Sequence, residues 1–186
     1  MNQGQLFYLM GASGAGKDSL IEYACQHLDD PARFRFVRRR ITRPPDPEKL
    51  NHDEYITPDE FKNQLKNGNF ALNWKRHKIC YGITAEINTW LKTGIHVVIN
   101  GSRHHYPIAL KTYPDLYAIW ITASPSILQQ RLQDRGRESK NEISERMQTA
   151  NQFNPPAADS GNKFLVIDNN GPLTNAGEEF LKVLQT

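Results

Sequence analysis

Residues 5–28 read QLFYLMGASGAGKDSLIEYACQHL, and this stretch decides the fold. Residues 5–10 are apolar and short, as expected of a strand. Residues 17–28 place Leu20, Ile21, Ala24 and Leu28 at helical spacing. Between them, Gly11, Ala12, Ser13, Gly14, Ala15, Gly16 and Lys17 fit the pattern GxxxxGK in the strand-to-helix setting that a phosphate-binding loop requires. The glycines let successive backbone N–H groups converge on phosphate oxygens. The helix N-terminus and Lys17 add positive charge toward β- and γ-phosphates.

The residue after Lys17 is Asp18, where such loops usually carry a Ser or Thr that donates a hydroxyl to Mg²⁺. Two arrangements are open: Asp18 holds the metal between itself and the phosphates, or Ser19 serves while Asp18 faces away. Without a bridging cation, a carboxylate beside a triphosphate is repelled.

Working outward, apolar runs alternate with helical patterns. Strands are expected at residues 34–37, 95–99 (IHVVI), 116–122 (LYAIWIT) and 164–167, and helices at 85–93, 124–132, 142–150 and 173–184. Near-continuous apolar runs suit strands buried on both faces, so the alternation predicts a doubly wound α/β core with a parallel sheet. Thr57, Pro58, Asp59 and Glu60 form a capping box with proline at the first helical position, and that helix should stop at Gly68. Residues 70–74 and 79–81 read as short antiparallel strands outside the main sheet. The expected organisation is one domain, with its core at about 1–36, 83–130 and 151–186, an insertion at about 37–82 and a helical lid at about 131–150.

The chain has 186 residues, with 23 Lys or Arg against 20 Asp or Glu, a net charge of +3. That balance, without a long basic face, argues against a nucleic-acid partner. The cluster Arg33, Arg35, Arg38, Arg39 and Arg40 is better explained by a small anionic substrate. No apolar run approaches the roughly 18 residues needed to span a bilayer, and Met1, Asn2, Gln3 and Gly4 carry no basic leader. A soluble, cytoplasmic chain without membrane partners is expected; no residue pattern fixes its oligomeric state. Cys25 and Cys80 are too few for a disulfide framework and read as reduced structural thiols. His104 and His105 read as paired surface histidines that lack a third ligand for a metal, and Trp74, Trp90 and Trp120 read as core residues.

Several further landmarks follow the loop in order: Ile41, Thr42, Arg43, Pro44, Pro45; the acidic segment 51–55 ending in Tyr55; Gly68, Asn69, Phe70; Tyr81, Gly82; Arg135, Gly136 and Arg146; and Val166, Ile167, Asp168, Asn169. In this order they resemble the guanylate kinase family over nearly the whole chain. The resemblance implies a P-loop NTPase, three-layer guanylate kinase-like core with a small acceptor-binding insertion and a lid. It also implies ATP as phosphoryl donor with Mg²⁺, Lys17 and the lid arginines Arg135, Arg137 and Arg146 as catalytic groups, and Asn169 near adenine. Arg131 is a further lid candidate.

In that family an acceptor phosphate is held by two arginines and two tyrosines. Arg43, Tyr55 and Tyr81 match three of these, and Asp46 falls where the second arginine stands. The positions that read guanine in relatives hold Arg39, Leu72 and Asn100 instead of a hydroxyl and two carboxylates. Guanine would leave its buried N–H donors unpaired, at about 1–3 kcal/mol each. A cation at Arg39 implies a second anionic group on the acceptor. The resemblance, narrowed by Asn100, Gly101, Ser102, Arg103 and by the lid run 135–139, implies ribose 1,5-bisphosphate as acceptor and phosphoribosyl diphosphate as product, as in phosphonate breakdown. Arg39, Arg43, Tyr55, Tyr81, Asn100 and Arg103 are the expected acceptor-binding residues. The alternatives are a mononucleotide kinase and a catalytically silent binding module.

Overall fold

The computed structural model describes residues 3–45, 52–76, 78–134, 136, 139–151 and 163–185. In chain order its elements are β1 (Leu6–Gly11), α1 (Lys17–His27), a 3₁₀ turn (Pro31–Arg33), β2 (Phe34–Val37), β3 (Arg39–Ile41), β4 (Asp53–Tyr55), α2 (Pro58–Lys66), β5 (Phe70–Arg76) and β6 (Ile79–Thr84). There follow α3 (Ile87–Lys92), β7 (His96–Asn100), α4 (Tyr106–Thr112), β8 (Tyr117–Thr122), α5 (Pro125–Asp134), α6 (Lys140–Asn151), β9 (Phe164–Asp168) and α7 (Leu173–Leu184).

The main sheet runs β2-β7-β1-β8-β9, with every neighbouring pair parallel. Strand side chains alternate between faces, and β1 shows what that does. Phe7 and Leu9 pack with Leu20 and Ala24 of α1 and with Phe180 and Leu184 of α7. Leu6, Tyr8 and Met10 pack on the opposite face with Ile87 and Leu91 of α3 and with Ala109 of α4. Helices therefore cover both faces, and the fold is the expected three-layer α/β arrangement. Among the described residues no helix is long and apolar enough to cross a membrane.

A second sheet, β4-β3-β6-β5, stands beside the first, with β5 and β6 antiparallel as expected. Leu72 and Ile83 of this sheet join the α3/α4 core, which anchors it to the main body. The Thr57 capping box forms as read: Thr57 Oγ1 accepts from the Glu60 N–H at 3.2 Å, and the Glu60 carboxylate accepts from the Thr57 N–H at 2.7 Å. The helix ends at Lys66, and Gly68 takes a left-handed φ of 70°.

Three elements go beyond the sequence reading. β3 and β4 are three-residue strands of charged sequence that become ordered by pairing in parallel with each other. Helix α4, with Pro107 in its first turn, follows the β7 turn. Two expectations are also corrected. His105 is buried rather than a surface histidine, because it packs against Trp74. Cys25 is exposed, so it is not a packed structural thiol; both cysteines are free.

Candidate active site

The loop from Gly11 to Lys17 closes β1 and opens α1, which puts the helix N-terminus at one end of a cavity of about 410 Å³. Gly16 has a φ of 93°, and a Cβ there would overlap the Asn169 side-chain amide. Only glycine satisfies both the backbone conformation and that approach. Asn169, 2 % exposed, braces the loop by donating from Nδ2 to the Ala15 carbonyl at 2.8 Å. Its buried Oδ1 has no hydrogen-bond partner among the described residues. Lys17 Nζ donates to the carbonyls of Gly11 (3.1 Å) and Ala12 (2.9 Å), so its ammonium spans the mouth of the loop.

Asp18 lines the same cavity, and one of its oxygens accepts from Asn100 Nδ2 at 2.6 Å. A carboxylate has no donor, so the amide nitrogen must be the group that faces it. Ser19 is exposed and lines a separate cavity of about 290 Å³ with Arg131, Asp134 and Asn169. The structure thus separates the two metal candidates: Asp18 lines the cavity that holds Lys17 and Arg43, and Ser19 lines the other one. One carboxylate suits Mg²⁺, which retains several waters and takes phosphate oxygens as ligands. Among the described residues no group of three or more His, Cys, Asp or Glu side chains forms a further metal cluster.

The second sheet supplies the opposite wall. In the β3/β4 register Arg39 lies beside Asp53, and their side chains meet: Arg39 Nε and Nη2 donate to the two Asp53 oxygens at 2.9 and 3.3 Å. Arg43 Nη2 reaches the same carboxylate at 3.5 Å. Asp53 is 1 % exposed, so one buried anion orients two guanidiniums that both line the cavity. Arg39 is thus in the cavity wall as a cation with a buried counter-ion, which the sequence reading did not foresee. Burial pulls the Arg43 proton affinity down, but the Tyr55 hydroxyl, hydrogen-bonded to it, and Asp53 outweigh that, and the net direction is upward.

Tyr81 lines the cavity as expected, while Tyr55 does not; it stands behind Arg43, which lies 6.0 Å from its ring centroid. Trp74 packs half-buried against the α3/α4 core, as expected, and also forms part of the cavity wall, stacked on Tyr81 at 5.4 Å and 5° and on His105 at 5.3 Å. Arg39 covers the Tyr81 ring at 5.8 Å. Leu72 is 2 % exposed inside the α3/α4 core and is not among the cavity-lining residues, so the chain offers no side chain from that position to any ligand.

The turn after β7 forms the back wall. Tyr8 fixes it: its hydroxyl donates to the Ser102 carbonyl and accepts from the Ser102 N–H, both at 2.9 Å. Burial pushes the Tyr8 proton affinity upward, so the hydroxyl keeps the proton it donates. Gly101 lies against the Tyr8 ring where any Cβ would collide. Arg103, expected at the acceptor, lines the cavity, but its guanidinium donates to the carbonyls of Ala150 (3.1 Å) and Thr149 (3.5 Å) in α6.

From the lid side, Arg146 Nη1 donates to Ser13 Oγ at 2.6 Å. Arg131 donates to the carbonyls of Asn169 (2.9 Å) and Gly14 (3.4 Å), so its place is the outer cavity with Asn169. Arg135 and Arg137 lie outside the described residues, as does Asp46. Arg76, which the sequence reading missed, lines the cavity from β5. Burial lowers its proton affinity, and the neighbouring Arg146 lowers it further against an opposing effect of Tyr81. The sequence reading ended this strand at residue 74 and gave no signal for Arg76, since only the fold carries β5 on to the cavity.

Glycine loop, lysine, Arg146 and a cation-rich wall together define a P-loop phosphotransferase site. The family comparison agrees: the guanylate kinase family model matches residues 3–179, and the chain belongs to that family. A protein of Thiobacillus denitrificans named ribose 1,5-bisphosphate phosphokinase PhnN is 44% identical over 184 residues, covering 99% of this chain and 94% of that one. A protein of the same name from Chromobacterium violaceum is also 44% identical, covering 98% of this chain and 94% of the other. Among solved structures, guanylate kinase from Anaplasma phagocytophilum superposes with a TM-score of 0.70 at 13% identity, covering 99% of this chain and 86% of that one, which establishes the shared fold.

Proposed function

We propose that the protein transfers the γ-phosphoryl group of ATP to ribose 1,5-bisphosphate, giving 5-phosphoribosyl 1-diphosphate and ADP. The observation that carries this is the acceptor wall. Asn100 donates to Asp18, Leu72 is sunk in the core, and Arg39 stands where a hydroxyl reads guanine in relatives. Arg39 and Leu72 therefore supply no acceptor for guanine N–H groups and Asn100 keeps only one, its amide Oδ1, where relatives have a hydroxyl and two carboxylates, while two guanidiniums oriented by Asp53 stand ready for anions. Among the described residues the cavity presents the cations Lys17, Arg39, Arg43, Arg76, Arg103 and Arg146 against only Asp18 and Glu145. Such an excess suits two polyphosphorylated ligands together. The names of the full-length relatives support the same acceptor.

Phosphoryl transfer asks a protein mainly for positioning and charge neutralisation. An oxygen of the acceptor's 1-phosphate attacks the γ-phosphorus, the β–γ bridging bond breaks, and the electron pair leaves on ADP. The nucleophile is already an anion, so no general base is needed. The backbone N–H groups of the loop and Lys17 hold the donor phosphates. Arg43 and Tyr81 hold the phosphate that attacks, Arg39 offers the unpaired edge of its guanidinium to the acceptor's second phosphate, and Arg146 covers the transferring group. Asp18, oriented by Asn100, would hold Mg²⁺, and the ion would supply charge neutralisation to the donor phosphates. The outer cavity takes the nucleoside of ATP, with the buried Asn169 Oδ1 as an acceptor toward that side.

The test is product identification. With ATP, Mg²⁺ and ribose 1,5-bisphosphate, phosphorus NMR should show phosphoribosyl diphosphate and ADP appearing together. ADP with inorganic phosphate and no diphosphate ester would refute the proposal.

A further inference from the structure

Arg103 sits on the turn that Tyr8 holds, three residues beyond Asn100, and is 7 % exposed. Its guanidinium lies 5.8 Å from the Trp120 ring centroid and donates to the Ala150 and Thr149 carbonyls. Those carbonyls lie in the last turn of α6, where helix carbonyls lack donors of their own and a cation is favoured. One turn earlier the same helix carries Arg146, which reaches Ser13 in the phosphate loop. We propose that Arg103 is a positioning residue for Arg146: it ties the C-terminal end of α6 to the β7 turn, and so sets the lid arginine over the phosphates. The inference rests on the phosphotransfer reading above.

The chemistry fits a structural fork better than a ligand clamp. Burial and then the nearby Arg76 push Arg103 down to about 10, so it stays charged at neutral pH. A charge kept at such a place needs its hydrogen bonds satisfied. A guanidinium presents parallel N–H groups, and two successive carbonyls at the end of a helix match that fork in a way a lysine cannot. The same turn also carries Asn100, whose amide holds Asp18. One rigid segment thereby sets both the loop carboxylate and the lid arginine.

The experiment is a double-mutant cycle on binding of a non-hydrolysable ATP analogue with Mg²⁺, read by calorimetry for the unmodified protein, Arg103→Met, Arg146→Met and the double variant. Each single change should weaken Kd about tenfold, and the double should be within about twofold of Arg146→Met alone, since the two residues act through one contact. An unchanged Kd in Arg103→Met, or losses that multiply to about a hundredfold in the double, would overturn the inference. Arg103→Lys keeps the charge but not the fork and should give an intermediate loss; if Arg103→Met does not fold, the cycle with lysine decides. On the acceptor side, Arg103→Lys should lower kcat and leave KM for ribose 1,5-bisphosphate within about twofold. A rise in that KM with kcat intact returns Arg103 to acceptor binding and overturns the assignment. If the unmodified protein makes no phosphoribosyl diphosphate, the functional proposal fails, while the calorimetric cycle still judges Arg103.

Discussion

The two halves of the cleft are made of different material. The donor half is backbone: a glycine loop, a helix N-terminus, one lysine, and an asparagine that fills the space a Cβ would take at Gly16. The acceptor half is side chains meeting across strands, with Arg39, Arg43 and Asp53 bound together although Asp53 lies ten or more residues further along the chain. Backbone sites tolerate little change, because N–H groups converge on phosphate only in a few conformations. Side-chain sites can be rebuilt by substitution at fixed positions. That asymmetry explains how one family fold keeps its donor and exchanges its acceptor.

The sharpest break of this comparison is Lys17→Ala. On the proposed mechanism its ammonium acts directly on the donor phosphates, so kcat should fall by about a thousandfold or more, with the melting curve little changed. Steady-state turnover and a thermal melt check both halves of that statement. Asp53→Asn comes next, because it leaves two guanidiniums without their buried counter-charge. Chemical denaturation should show a loss of about 3 kcal/mol, and KM for the acceptor should rise while KM for ATP stays near its original value. If KM for ATP moved as far, the two halves would not be separate devices.

Asp18→Asn removes a ligand charge while keeping the size of the side chain. A Mg²⁺ titration of turnover should shift to about tenfold higher metal; an unshifted titration would remove Asp18 from the metal site. The smallest effect lies far from the cleft. Thr57→Ala should cost about 1 kcal/mol of stability and leave kcat unchanged. The capping box also carries a pH signature. Hydrogen bonds from the Thr57 N–H and hydroxyl hold the Glu60 carboxyl below its ordinary value. A lowered folded value means stabilisation that is present above the ordinary glutamate pKa and lost as pH falls through the folded one. The stability gap between the parent and Glu60→Gln should therefore close on acidification.

What was legible in the sequence follows the same division. The glycine loop, the Thr57 cap and the apolar strands β7 and β8 are local patterns, and each forms where the residues placed it. The family landmarks located Arg43, Tyr81 and Arg146 in the cavity. Pairings across space were not legible. Nothing in the sequence pairs Arg39 with Asp53 until β4 brings the two side by side, and Leu72, at a position that reads guanine in relatives, shows its place in the α3/α4 core only once β5 is folded. Trp74 reads as core because an indole in a short strand usually packs inward; the stack on Tyr81 depends on the β5/β6 register, which pairs those two residues. Helix α4 had one usable signal, Pro107 in its first turn after a run of turn residues.

The most direct test compares kcat/KM for ribose 1,5-bisphosphate and for GMP in one preparation, with ATP and Mg²⁺ held constant. An acceptor wall rebuilt for anions predicts a preference of at least about a hundredfold for the sugar bisphosphate, the order expected when buried polar groups of a rejected ligand go unpaired. Equal or greater kcat/KM for GMP would contradict it.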